Sequence, residues 1–290
     1  MNDFNDYSML PWNTSSFSVT ALARVQMSTF TQCAKLQKRR YSEEPWIFSH
    51  ITALMLLGVE IPRLLPPSAD PHPLALDKVH VDVRSTSQRS WRAPVVTHLW
   101  SQPFSPVLVA TRLCVTSPLL TWAQMSTHVS LEELVVLGDS MMRHNELLKR
   151  STFHEFEDFL ASTSNFQGRK KCVEALKYMS ENTDSSQESR LRFLLRQRGF
   201  PQPISNYRVI DTEYSQSFLL DLAWPSAKVG SEYDGWYHEE ASQRNKDHFK
   251  RSRLGKMGWQ IVPATSKTFT DPLLQEAFMT DLMAAFARNR

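Results

Sequence analysis

From Lys78 to Val83 apolar and polar positions alternate without a break, and Val95 to Leu99 repeats the alternation less regularly. A period of two predicts strands in both places. Elsewhere in the first 180 residues the spacing is helical. Leu22, Val25, Phe30 and Leu36 allow one or two helices between Thr20 and the basic Lys38 to Arg40. Ile47 to Leu57 predicts a helix capped by Ser49 and stopped at Gly58. Five prolines between Pro62 and Pro73 enforce a loop. Ser117 and Pro118 open a helix through Met125, and Ser130 to Glu133 is a capping box ahead of a helix to Arg143. Further helices start at Thr152 and Arg169. The Gly138-Asp139 pair inside a helical pattern reads as packing.

Residues 180 to 187 are polar and mark a boundary. After it the order changes. A helix from Gln187 to Arg198 precedes strands near Tyr207 to Asp211, Ser217 to Ala223 and Ala227 to Tyr233. A basic helix, Ala241 to Met257, a strand from Trp259 to Pro263 and a helix from Asp271 to Ala287 complete the chain. The expected architecture is α/β (α+β): an α-β-β-β-α-β core over 183–290, preceded by a smaller mixed, mainly helical domain over 46–182 and a poorly ordered or partly helical segment over 1–45.

Composition adds limits. The 290 residues are 41% hydrophobic and 22% charged, a globular balance, with a net charge of +3. Three scattered cysteines, Cys33, Cys114 and Cys172, support neither a disulfide framework nor a zinc site and fit a reducing cytoplasm. An acidic start argues against a signal peptide, and the longest apolar run, Ile51 to Val59, is too short to span a bilayer. A soluble cytoplasmic protein is expected.

The chemistry concentrates near the C-terminus. Asp221 closes an apolar strand-like run, and Glu232, Asp234, Gly235 and His238 follow about ten residues on. Acids are depleted from strands and rarely buried uncompensated. Glu232 and Asp234, two apart, share a strand face, where like charges repel unless a cation or proton sits between them. Mg²⁺ or Mn²⁺ held by Asp221 and Glu232 meets that need with oxygen ligands. Each residue also has a plainer role: Asp221 starting a turn before Pro225, Asp234-Gly235 as a hairpin turn, Glu188 closing a capping box with Ser185, His238 as a surface histidine. In the chemical reading His238 accepts a proton from water. Arg244, Lys246, Lys250, Arg251, Arg253 and Lys256 form a basic run with Asp247 as its one acid, suited to a phosphate backbone or to a solvated helix face. There is no nucleophile elbow and no Walker loop, and His238-Glu239-Glu240-Ala241-Ser242 lacks the second histidine of a zinc-protease helix.

These residues carry a resemblance. Gln187 to Arg192, Leu220 to Pro225, Glu232 to Gly235 with His238, and Gly258 with Trp259 resemble the domain of unknown function 559. That group is related to very-short-patch-repair endonucleases in the PD-(D/E)XK, restriction-endonuclease-like superfamily. Upstream, Ser49 to Ala53, Val115 to Pro118 and Leu131 to Asp139 look like the middle region of actinobacterial proteins that carry such a domain beside a segment similar to AbiEi-family antitoxins. The resemblance implies Asp221 and Glu232 as metal ligands supported by Glu188, Asp234 and His238 near the attacking water, and Asp247 and Lys250 as polar positions of the second helix. Asp234 stands where the superfamily has lysine, and residues 1–45 are too short and polar for the winged helix with which relatives begin. The expectation is a metal-dependent DNA endonuclease, in repair or mobile-element defence. The alternative is a non-catalytic DNA-binding or antitoxin-like regulator, and a protein partner through the N-terminal region is open.

Overall fold

A computed structural model describes residues 17–39, 44–66, 74–89, 94–110, 112–234 and 241–288, with the backbone alone for 17–20 and 241–246. The chain is mixed α/β and divides into two compact units, Met1–Glu181 and Asn182–Arg290. Among the described residues no helix is long and apolar enough to cross a membrane.

The first unit contains α1 (Phe17–Lys38), β1 (Ile47–Phe48), α2 (His50–Leu57), β2 (Val79–Val83), β3 (Val95–Leu99), β4 (Val107–Val109), β5 (Leu113–Val115), α3 (Pro118–Met125), α4 (Leu131–Met141), α5 (Phe153–Ser162) and α6 (Arg169–Leu176). Its sheet runs β3-β2-β1-β5-β4, with β1 antiparallel to β2 and parallel to β5. The expected helix from Ile47 therefore starts three residues late. Ile47 and Phe48 are drawn into the ladder between β2 and β5, Ser49 is extended, and the helix begins only at His50. This unit is mixed and mainly helical, as expected, but it is the larger of the two rather than the smaller, and it holds a five-stranded sheet. Strands of two or three residues, such as β1, β4 and β5, are too short to show a period.

Helix α2 is the pillar of this unit. Seven of its eight residues are buried, as an apolar-all-round helix must be. Gly58 ends it in the left-handed region at φ 67°, its N–H facing the carbonyls of Leu54 and Met55. Helix α1 lies against it, with Gln26 Nε2 donating to the Leu56 carbonyl at 2.7 Å. Trp122 of α3 is fully buried, donates to the Leu134 carbonyl at 3.0 Å and meets Phe156 edge-on. Ser130 accepts from the Glu133 N–H as expected, but the Glu133 carboxylate turns to the Arg63 N–H at 2.9 Å, so that capping box is half made. Gly138 is packing, as its pattern suggested: an added Cβ would come within 2.3 Å of Met179 Cε.

The second unit contains α7 (Ser186–Gln197), β6 (Ile204–Asp211), β7 (Gln216–Trp224), β8 (Val229–Asp234), α8 (Ala241–Lys256), β9 (Gln260–Thr265), α9 (Ser266–Thr270) and α10 (Pro272–Arg288). The sheet order is β6-β7-β8-β9; the first two pairings are antiparallel, and β8 lies parallel to β9 across α8. Leu191 and Leu195 of α7 and Phe278 and Leu282 of α10 pack with Leu222, Trp224 and Val262. Leu254 of α8 packs instead with Val209, Leu220 and Trp259. Leu220 and Leu222 are two apart, a spacing that normally puts both on one face, yet they join different clusters. The strand is irregular at the residue between them, Asp221. Asn206, which the β6–β7 register passes over opposite it, has φ 51°.

Candidate metal and phosphate site

The irregularity at Asp221 is where the acids meet. Pairing of β7 with β8 covers Leu222 to Trp224 against Val229 to Ser231. One step beyond, an Asp221 carboxylate oxygen accepts the Tyr233 N–H at 2.8 Å. The side chain thus replaces a ladder bond and is fixed beside Glu232. Lys250, reaching in from α8, donates to the Glu232 carboxylate and, at 2.7 Å, to the Leu219 carbonyl. Glu188 on the first turn of α7 adds a third carboxyl. Its box with Ser185 is not closed: the Ser185 hydroxyl accepts from the Gln187 N–H, Glu188 accepts from the backbone of Asp184 instead, and its Oε2 is buried with no hydrogen-bond partner.

Electrostatics report the crowding. Burial, then the charge of Asp221, pushes the Glu188 carboxyl from 4.5 up to about 8. Burial pushes Asp221 from 3.8 up to about 6; the Glu232 charge adds to the rise, while the Tyr233 N–H and Lys250 oppose it. A buried group hydrogen-bonded and ion-paired to satisfaction would not rise so far. Among the described residues no three His, Cys, Asp or Glu side chains are arranged to grip one ion. Mg²⁺ asks for less, since one or two carboxylates with waters suffice. Asp221 and Glu232 are the two carboxylates that could supply them.

The basic run divides. Arg251 pairs with Asp234 at 3.6 Å on an open surface, its side chain 51% exposed. Arg253 does not face solvent and is not a DNA contact. It is 4% exposed, grips both Asp211 oxygens at 2.7 and 3.0 Å and Glu213 at 2.6 Å, and lies over the Tyr214 ring. Its guanidinium holds the Asp211 carboxyl below the usual range. A planar fork matched to a carboxylate is what arginine supplies and lysine does not. His238 lies outside the described residues, as do the side chains of Arg244 and Lys246.

The first unit holds a second polar site, absent from the sequence reading. On β2 and β3 the parallel register pairs His80 with Val96 and Asp82 with His98, so His80, Asp82 and His98 share one face. His50, at the entry to α2 with φ 51°, stacks on His98 at 3.8 Å, and His128 meets His50 edge-on. His80 Nδ1 and His98 Nε2 are 2.8 Å apart. The polar half of the β2 alternation was the available signal. Every residue of β2 is buried, so its polar face meets a cavity rather than water.

No family model matches the chain, and no solved structure matches it. Two uncharacterized proteins, from two strains of Mycobacterium tuberculosis, are each 24% identical to it over 149 residues. The match covers 51% of this chain and 53% of each relative, so the chain spans about half the length of the curated relatives it matches.

Proposed function

We propose that the second unit is a restriction-endonuclease-like, metal-dependent phosphodiester hydrolase acting on DNA in the cytoplasm. The observation that carries this is the meeting of Asp221, Glu232 and Lys250 at the broken end of the β7–β8 ladder, with Glu188 buried beside them. The resemblance of 183–290 to the domain of unknown function 559 supports the same reading. The α-β-β-β-α-β order of the elements supports it too. The superfamily's lysine is missing two residues after Glu232, but an ammonium reaches that same carboxylate from α8.

Asp221 and Glu232 would hold Mg²⁺ or Mn²⁺, which when bound supplies Lewis acidity at a phosphoryl oxygen. The Tyr233 N–H orients the Asp221 carboxylate for that role. Glu188, pushed up to about 8 by burial and the Asp221 charge, is the carboxyl that a nearby cation would relieve most. Lys250, freed from Glu232 when a metal takes that carboxylate, would be placed to neutralise charge on a phosphate. Arg251, half exposed and paired with Asp234 at the end of β8, would meet the flanking backbone.

Plasmid nicking in Mg²⁺ or Mn²⁺ tests the proposal. Cleavage is expected from the intact chain and from neither Asp221→Ala nor Glu232→Ala; cleavage surviving in both rejects it. A second reading, a non-catalytic DNA-binding regulator that keeps the fold, is favoured by one observation: Lys250 already neutralises Glu232. Salt-dependent DNA binding with no heat of Mn²⁺ binding and no turnover would select it.

A further inference from the structure

Four histidines from separate parts of the first unit converge on one face of its sheet. His80 lies on β2, His98 on β3, His50 at the entry to α2 and His128 in the turn after α3. His50, His80 and His128 are buried, and His98 lines a cavity of about 670 Å³. Donor chemistry fixes where the ring hydrogens sit. His80 Nε2 faces the Ala75 carbonyl at 3.0 Å, and a carbonyl only accepts, so this nitrogen carries the hydrogen. In a neutral His80 ring Nδ1 is then an acceptor, and His98 Nε2, 2.8 Å away, donates to it. His98 in turn stacks on His50 at 3.8 Å. The cluster is built from neutral rings. Burial, aided at His50 by the other imidazoles, holds His50 and His80 below their ordinary value.

Acid undoes this arrangement. One added proton can be shared in the His80–His98 bond, because His98 can carry its own hydrogen on Nδ1 and accept at Nε2. A second proton leaves two N–H groups facing each other with no acceptor between them. A third falls on His50, stacked against that pair. The acids nearby give little relief. Asp82 Oδ1 lies 3.9 Å from His50 Nδ1, but burial raises that carboxyl to about 7, so it loses its charge before the rings gain theirs. Asp77 favours a charged His80, yet its side chain is 76% exposed and already pairs with Lys78. Arg89 adds a positive charge at the cavity wall, and Gln124 of α3 does not titrate. The element able to yield is β3. It is five residues long, half-buried, at the edge of the sheet and paired with β2 alone. Val96 to Leu99 also form one wall of the cavity, so His98 has room to swing.

We infer that the four histidines form an acid-sensitive latch. Below about pH 6 it releases edge strand β3, and with it one wall of the cavity, while the rest of the unit stays folded. In the released strand each ring regains its ordinary affinity for a proton. Release is therefore favoured about tenfold per histidine for every pH unit below about 6.5. The His80–His98 pair alone makes that about a hundredfold. The latch does not rest on hydrolysis in the second unit.

Hydrogen exchange on the full chain, read by mass spectrometry from about pH 7.5 to about pH 5, tests this. Rates are corrected for the intrinsic pH dependence of amide exchange. Peptides over β3 should lose protection by more than tenfold, up to about a hundredfold, per pH unit below about 6.5. Peptides over α3 and α4 should keep theirs. His98→Gln keeps an N–H for His80 Nδ1 but does not titrate, and should reduce the dependence to about tenfold per unit or less. His50→Asn suits the left-handed backbone at φ 51° and removes the stacked ring, so it should also flatten the dependence. Circular dichroism confirms which variants fold, and either one suffices. Protection of β3 that falls less than tenfold per unit, or a loss shared equally by α3 and α4, overturns the inference. So does an unchanged dependence in a folded variant.

Discussion

Both units bury a carboxyl whose proton is held too tightly, and they do so in opposite company. Asp82 sits beside a glutamine amide and the His50 imidazole, which burial drives well below its ordinary value, and burial disfavours the charge of Asp82 itself. Asp221 sits against Glu188 and Glu232, so negative charge is gathered there, answered by Lys250 and, at Glu188, by Arg192. The lesson is that a raised pKa does not name a ligand. Its neighbours do: a crowded acidic corner suits a cation, whereas a carboxyl set against an amide and a buried imidazole does not. The two sites can be separated by experiment.

The largest change should follow Lys250→Met. Cleavage falls by about a hundredfold to a thousandfold, as when a transition-state donor is lost, while calorimetric Mn²⁺ binding persists or tightens because the competing ammonium is gone. Loss of both together would merge Lys250 with the metal ligands and erase the distinction. On stability, Arg253→Met should lower the melting temperature more than any change at the acidic corner. It leaves the buried Asp211 without its partner, while Glu213 is open to solvent. Melting followed by circular dichroism checks this, with Arg253→Lys recovering only part.

A smaller effect separates the units by pH. Glu188, with an ordinary value of 4.5 and about 8 when folded, binds its proton more tightly in the folded chain, as Asp221 does. Stability contributed by these groups therefore falls as pH rises from about 4.5 to about 8. In the first unit the slope of Asp82 over its lower range is opposed. His50 and His80 bind protons less tightly when folded, so their contribution rises with pH up to about 6.5. Melting temperature against pH in chelator should flatten in Glu188→Gln and in Asp82→Asn alike. Last, Arg251→Ala should change stability by about 0–1 kcal/mol, since an open pair is worth little. It should also reduce the salt slope of DNA binding by about one phosphate contact.

What the chain disclosed depended on how far apart the partners lie. The helix from Pro118 to Met125 is legible because cap, proline and apolar spacing sit within ten residues. Asp221 and Glu232 stood out because acids are foreign to apolar strands. Lys250 beside Glu232 was not legible, since 18 residues and a whole helix separate them. Arg253 misled for the same reason: a helical charge run looks uniform until Asp211, 42 residues away, is seen to claim one member. The histidines spread from position 50 to position 128 and converge only through the β2–β3 register and the α2 entry.

Lys250 has one more consequence. Because the chain brings its own placeholder cation to Glu232, the acidic corner can fold without waiting for an inorganic ion. Loading then becomes an exchange rather than a requirement for assembly, and apo and holo forms would share one backbone.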